Sequence, residues 1–267
     1  MRILDIIFKF FAFVRLSGEN FEDKLYVHRA KVIYLLNRLH SFIFPSKHKP
    51  LGKFLVRDVW ARISYGKFYC RKYEEDLSII SESFEFKTIR KFIKLARGKN
   101  LVVDVGAHIG KYTILAAKLA KNVIAIEPHK ENFKILKRNV RLNKLKNVYT
   151  LNLAASSRNS KLKLYIGDTS GHHSISKKSK DYQVVDGIKL DTFFKRLKLE
   201  KIDLIKIDVE GAEMQVLLGM KEYLRNRKIK NIIIEIWPNN LKKVKRFFSG
   251  LGYFIKPIED DNFLVEC

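Results

Sequence analysis

From residue 100 onward, runs of consecutive apolar and β-branched residues alternate with segments of helical period: "NLVVDVG", "KYTILAAKLAK", "NVIAIEP", "ENFKILKRNVRLNK", "VYTLNLAA", and later "IDLIKIDVEG", "EMQVLLGMKEYLRN" and "NIIIEIWP". A strand that is apolar at nearly every position must be covered on both faces, and the intervening helices supply that cover. The pattern predicts an α/β fold built on a doubly wound, mostly parallel sheet of seven strands. After Pro238 come a helix, a Gly turn, a strand, an Asp-rich turn and a last strand, which predicts that the sheet closes on a C-terminal antiparallel hairpin.

The rest of the chain divides by its punctuation. Residues 1–50 read as helical segments ending at Pro45 and Pro50, where backbone donors are missing. Residues 51–98 read as a β-hairpin about Tyr65 and Gly66 followed by a helix closed by Gly98. This N-terminal helical and β extension leads into a core of residues 99–267. With 267 residues and 46% hydrophobic content, the chain can bury a full α/β core, and disorder is not its default state.

The net charge of +25, from 53 Lys and Arg against 28 Asp and Glu, has two readings. It can attract anionic partners, nucleic acid included, or it can solvate the outer faces of helices such as "KENFKILKRNVRLNKLK". Cys70 and Cys267 suggest no disulfide framework, which fits a reducing cytoplasm. In "MRILDIIFKFFAFVRL" the longest uninterrupted apolar run is five residues, Phe10 to Val14, too short to span a bilayer. Residues 1–16 could lie on a membrane as an interfacial helix, making the protein peripheral, or pack against its own body.

In open α/β sheets ligands sit beyond the carboxyl ends of the strands. Three such ends carry acids here: Asp104 ahead of Gly106 and Gly110, Glu127 ahead of Pro128, and Asp208 with Glu210 ahead of Gly211. Gly106 can let a ligand approach the backbone, Gly110 permits close packing where the next helix starts, and Glu127 stands where an acid would bind ribose hydroxyls. The spacing "GAHIG" lacks the third glycine of a dinucleotide fingerprint, and Asp104 would repel phosphate. A phosphate-free nucleoside with a cationic end fits better, and S-adenosylmethionine is such a cofactor.

On these residues the chain resembles the Rossmann-like class I methyltransferases, and within them the FkbM family. The matching segments include "FYCRKYEEDLSIISESFE", "VVDVGAHIGKYT", "VIAIEPHKENFKILKRNVRLN", "LNLAAS", "VDGIKLDTF" and "IDLIKIDVEGAEMQVLLG", spanning about residues 65–240. The family pattern falls on Asp104, Gly106, Ala107, His108, Gly110, Tyr112 and Thr113, with His108 where asparagine is usual. The resemblance implies that Glu127 binds the ribose of S-adenosylmethionine, that the turn from Asp104 to Gly110 lines its methionine part, and that Ala154 lies near the adenine.

Lys206, Asp208 and Glu210 share one parity, so on a strand they would project from one face. Asp208 is the candidate base or acceptor-orienting group, Glu210 could share that work, and Lys206 could stabilise a developing oxyanion. An internal ion pair that merely ties the strand end is the alternative. His173, with His172 beside it in "SGHHSI", is a further candidate base on an exposed loop. No ligand spacing points to a metal. The resemblance implies O-methylation of a hydroxyl on a sugar, a glycan or another small metabolite. An RNA methyltransferase using the basic surface and a non-catalytic nucleoside-binding module are the competing readings. Oligomeric state leaves no mark in the sequence.

Overall fold

A computed structural model describes residues 15–43, 55–176 and 178–266. Residues 1–14, which carry most of the membrane-contact expectation, lie outside the described residues, as do Pro45, Pro50 and Cys267. The chain divides into two compact units, residues 1–86 and 87–267, whereas the sequence punctuation placed breaks near residues 50 and 98. No described helix is long and apolar enough to cross a membrane.

In the first unit a short strand β1 (Ser17–Gly18) precedes helix α1 (Phe21–Ile43) and pairs with the hairpin β2 (Val59–Ile63) and β3 (Gly66–Cys70) in the order β1-β2-β3. The expected hairpin turn falls at Ser64 and Tyr65. Asn20 starts α1 by accepting the Asp23 backbone N–H at 2.8 Å. Glu19 gathers Arg62 at 2.7 Å and Lys67 at 2.8 Å, and these partners, Arg62 first, hold its carboxyl down to about 2. A short helix α2 (Asp76–Ile80) follows, and Arg71 closes on the buried Asp76 at 2.8 Å.

The second unit starts in α3 (Phe86–Ala96), whose Ile89, Phe92 and Ala96 form one buried stripe. Next come β4 (Leu101–Val105), α4 (Lys111–Ala117), β5 (Asn122–Ile126), α5 (Lys130–Leu142) and β6 (Val148–Leu151). Then follow β7 (Ala154–Ser156), β8 (Lys161–Tyr165), β9 (Tyr182–Lys189), α6 (Leu190–Arg196) and β10 (Ile202–Ile207). The chain ends with α7 (Glu213–Gly219), α8 (Lys221–Arg225), β11 (Ile229–Glu235), α9 (Pro238–Ser249), β12 (Phe254–Glu259) and β13 (Asn262–Glu266).

Seven strands form one sheet in the order β12-β13-β11-β10-β4-β5-β6. Neighbours from β11 to β6 pair in parallel, and β13 runs antiparallel to both β11 and β12. This is the doubly wound sheet with a terminal hairpin that the apolar runs predicted. Central β4 and β10 are buried at every position, as a sheet covered on both faces requires. The main core joins Val103, Ile126, Ile205, Ile232 and Ile234 of the sheet to Phe194, Leu217, Met220 and Phe248 of the helices.

Two expected elements are broken. "VYTLNLAA" is split: β6 edges the main sheet, while β7 belongs to a second, three-stranded sheet of order β7-β9-β8. Asn152 makes the turn by donating to the Glu127 and Pro128 carbonyls at 2.8 and 2.9 Å. The segment "EMQVLLGMKEYLRN" bends at Met220 (φ −121°, ψ 20°) into α7 and α8. There Asp191 accepts the Glu222 and Tyr223 backbone N–H groups at 3.1 and 3.0 Å, capping a new helix start that no local residue announces.

Candidate active site

The chain leaves β4 toward β5 on one side and returns through β10 on the other, so the loops after β4 and β10 diverge at the strands' carboxyl ends. That switch point is where an open α/β sheet forms its ligand crevice. The two strands stay joined one residue past the regular ladder, because the Asp208 N–H donates to the Val105 carbonyl at 2.9 Å. Gly106 (φ 83°) and Gly110 (φ 98°) bound the turn. The Gly106 and Ala107 N–H groups both donate to the Ile126 carbonyl, at 2.9 and 3.0 Å, and the Gly110 N–H donates to the Ala107 carbonyl at 2.8 Å.

A Cβ at Gly106 would fall 1.6 Å from the Asp208 carbonyl oxygen, so the bare backbone here lets the segment just past β10 come close. Within the turn His108 adopts φ 49°, a left-handed conformation in which Asn and His are enriched, so it can stand where asparagine is usual. Its Nε2 lies 3.1 Å from the Ser170 hydroxyl.

Asp104, near the end of β4, and Glu127, just past the end of β5, are buried acids on neighbouring segments. Asp104 accepts the Thr113 hydroxyl at 2.6 Å, and burial, opposed by that bond and by the Lys206 charge, pushes its carboxyl up to about 6. Glu127 accepts the His108 and His129 backbone N–H groups, each at 2.8 Å. Burial nevertheless pushes it up to about 7. The Asn132 side chain also hydrogen-bonds this carboxyl, and a carboxylate has about four lone-pair sites, so Glu127 is a rigidly held acceptor with room for a further hydroxyl hydrogen bond. Asp104, Glu127 and Asp208 thus mark the carboxyl ends of β4, β5 and β10, a set suited to hydroxyls and a cation and hostile to a diphosphate. This donor set fits S-adenosylmethionine.

On the β10 side the arrangement differs from one strand face. β10 ends at Ile207, and Glu210 (φ 50°) and Gly211 (φ 92°) form a turn beyond it. Lys206 is wholly buried; its Nζ stands 3.2 Å from Asp208 Oδ2, 3.3 Å from Asn262 Oδ1 and 5.2 Å from the centre of the Tyr112 ring. The Asp208 side chain retains 28% exposure, making it the accessible half of the pair. Glu210 is pushed up to about 8 by burial and then by the charges of Asp208 and Glu213, so it holds its proton at neutral pH.

The segment between β8 and β9 reaches this edge of the sheet at several points. Asn132 donates to the Ser170 carbonyl at 2.8 Å, the His173 ring lies 3.9 Å from the His129 ring, and the Ser174 hydroxyl donates to the Glu210 carbonyl. The Gly167 N–H donates to His173 Nδ1 at 3.1 Å, which places the ring proton on Nε2. That nitrogen is already engaged, and the ring packs against His129. His172 is exposed and contacts Thr169 at 2.8 Å. Ala154 is buried in the small sheet with Leu164 and Val185. Asn132, Ser170 and Asn262 escaped sequence reading, since each gains its place only through partners distant in the chain.

A family model described as Methyltransferase FkbM domain matches residues 104–255. Methyltransferase sdnD of Sordaria araneosa is 29% identical over 191 residues, covering 58% of this chain and 73% of that protein. Hexuronic acid methyltransferase AglP of Haloferax volcanii is 27% identical over 171 residues, covering 64% of this chain and 70% of that protein. The crystal structure of Methyltransferase FkbM from Methylobacillus flagellatus KT aligns with a TM-score of 0.47 and 18% identity, covering 64% of this chain and 44% of that chain. The match therefore spans less than half the length of that solved protein.

Proposed function

The chain belongs to the FkbM methyltransferase family, and we propose that it methylates a hydroxyl of a sugar, a glycan or another small metabolite with S-adenosylmethionine as donor. The observation that carries this reading is the pairing of partly exposed Asp208 with buried Lys206 at the end of β10, next to the turn of Asp104 to Gly110. The likeness to a hexuronic acid methyltransferase supports a carbohydrate acceptor.

Glu127 would accept from the ribose hydroxyls. Asp104, Gly106, Ala107, His108, Gly110 and Thr113 form the turn that would hold the methionine part, and Ala154 would bound the adenine. When bound, the cofactor supplies a methyl carbon made electrophilic by a sulfonium. The chain must then orient the acceptor and remove its proton. Asp208 takes that proton on a carboxylate oxygen, with Lys206 fixing the carboxylate and supplying positive charge behind it. Protonated Glu210 donates a hydrogen bond to the acceptor.

Transfer of tritiated methyl groups to carbohydrate fractions and to total RNA tests the acceptor class. Label is expected in carbohydrate; label confined to a ribonuclease-sensitive fraction would overturn the assignment and favour the RNA reading that the net charge of +25 allows. Asp208→Asn should abolish transfer while changing cofactor affinity by no more than about threefold.

A further inference from the structure

Beside Glu210 a cavity of about 380 Å³ opens between the turn after β10, helix α7 and the first turns of α9. We propose that this cavity holds the methyl acceptor as a single pyranose-sized ring that carries an anionic group, and that Lys243 pairs with that group. The proposal rests on the methyl-transfer reading and adds the place and chemical class of the acceptor.

Four features of the lining lead there. Trp237 presents half-buried aromatic surface, fixed on one side by Gly211, where a Cβ would meet the indole carbons at 3.5 Å. The indole also hydrogen-bonds the Glu210 carboxyl, so the flat surface and the acid are held together. An indole of this kind accommodates the apolar C–H face of a sugar ring while its N–H stays satisfied. Gln215 and Asn239 add amides, which both donate and accept and so suit neighbouring hydroxyls. Lys243 stands four residues after Asn239, on the same side of α9, and brings a cation to the lining.

Charge in the surroundings agrees. Glu213 is turned inward: it accepts the Gly211 N–H at 2.9 Å and the Asn240 side-chain amide. Glu210 is neutral near pH 7, so an anion on the acceptor meets Lys243 without facing a charged carboxylate at the cavity. The volume lies toward the small end of the range for small-molecule sites, room for one ring and not for a folded polynucleotide.

The test uses the full chain with the methyl glycosides of glucuronic, galacturonic and mannuronic acids, each paired with its neutral hexoside. Binding is read by saturation-transfer NMR in the presence of S-adenosylhomocysteine, and turnover by tritiated-methyl transfer. At least one uronide should bind more tightly than its neutral partner. Lys243→Gln should raise its KM about 10-fold and leave the neutral hexoside unchanged, while the neighbouring surface variant Lys242→Gln changes neither. Trp237→Phe, which keeps a ring, should weaken both sugars less than Trp237→Ala, with unfolding curves showing each variant folded.

If no uronide binds below roughly 10 mM, or if Lys243→Gln and Lys242→Gln act alike, the acceptor-site proposal is overturned. If methyl transfer to another hydroxyl compound proceeds and is indifferent to Trp237 and Lys243, the cavity is wrong while the methyltransferase reading stands. If a uronide binds in a Lys243-dependent way and is never methylated, the cavity stands and the carbohydrate-acceptor reading fails.

Discussion

The space that a side chain would need at Gly106 is occupied by the carbonyl oxygen of Asp208, 1.6 Å from where a Cβ would stand. One residue's lack of a side chain therefore sets how closely the cofactor turn approaches the proposed catalytic carboxylate. Gly106→Ala must push β4 and β10 apart and also strain a backbone at φ 83°. We expect a loss of about 3 kcal/mol or more in urea unfolding, with loss of transfer. Gly98 provides the control: its φ is 70°, but nothing stands within 4 Å of where its Cβ would lie, so Gly98→Ala should cost only about 1 kcal/mol. Equal losses at the two positions would refute the packing argument.

Stability should fall as pH rises through neutrality. In the folded chain burial raises Glu127 to about 7 and Asp104 to about 6, so between the ordinary carboxylate range and those values the folded state holds more protons than the unfolded one. Under that inequality stability is greatest at the acid end of the window and declines as each group ionises. The unfolding temperature of the cofactor-free protein should therefore drop from about pH 5 to about pH 8, and Glu127→Gln should flatten the slope. A slope identical in the variant would remove Glu127 as its source. The same variant should bind S-adenosylmethionine at least about 10-fold more weakly, since the amide presents only one acceptor atom.

What could be read from the sequence was whatever depends on neighbours along the chain. Apolar runs such as "LVVDV" and "IDLIKI" reveal buried parallel strands because every position must be covered, and the 21 positions from Gly106 to Glu127 reflect one turn, one helix and the next strand. What could not be read depends on partners far away. The bend at Met220 exists because Asp191 caps Glu222 and Tyr223, and the split of the third strand follows Asn152 reaching back to Glu127 and Pro128. Parity grouped Lys206 with Asp208, which do meet, but it carried Glu210 along as if the strand continued, while a left-handed turn had already redirected that side chain.

His108 departs from the asparagine usual in the family, and its conformation makes a graded prediction. At φ 49° with its N–H bound to Glu127 at 2.8 Å, the position needs a residue that tolerates left-handed backbone. His108→Asn should keep the unfolding temperature within about 2 °C and leave cofactor affinity nearly unchanged. His108→Val, branched at Cβ, should cost roughly 1–2 kcal/mol and weaken cofactor binding, because Glu127 loses an aligned donor. Calorimetric titration of both variants decides this, and tight binding by the valine variant would contradict it.

Lys206 distinguishes catalysis from mere tying of a strand end. Its charge sits wholly buried between Asp208, Asn262 and the Tyr112 ring, and it opposes the upward push on both Asp104 and Glu210. Lys206→Met keeps most of the volume and removes the charge; leaving a wholly buried carboxylate unpaired would be costly, but Asp208 keeps 28% exposure to water. If the lysine serves only the strand end, any loss of rate should track a loss of stability, and the pH profile should not move. If it supplies the positive charge behind Asp208, kcat should fall by about 100-fold with little change in unfolding temperature. The pH–rate profile should then shift toward alkaline pH, because Asp104 and Glu210 lose the cation that holds them down. An unmoved profile together with a proportionate loss of stability would assign Lys206 to the strand end alone.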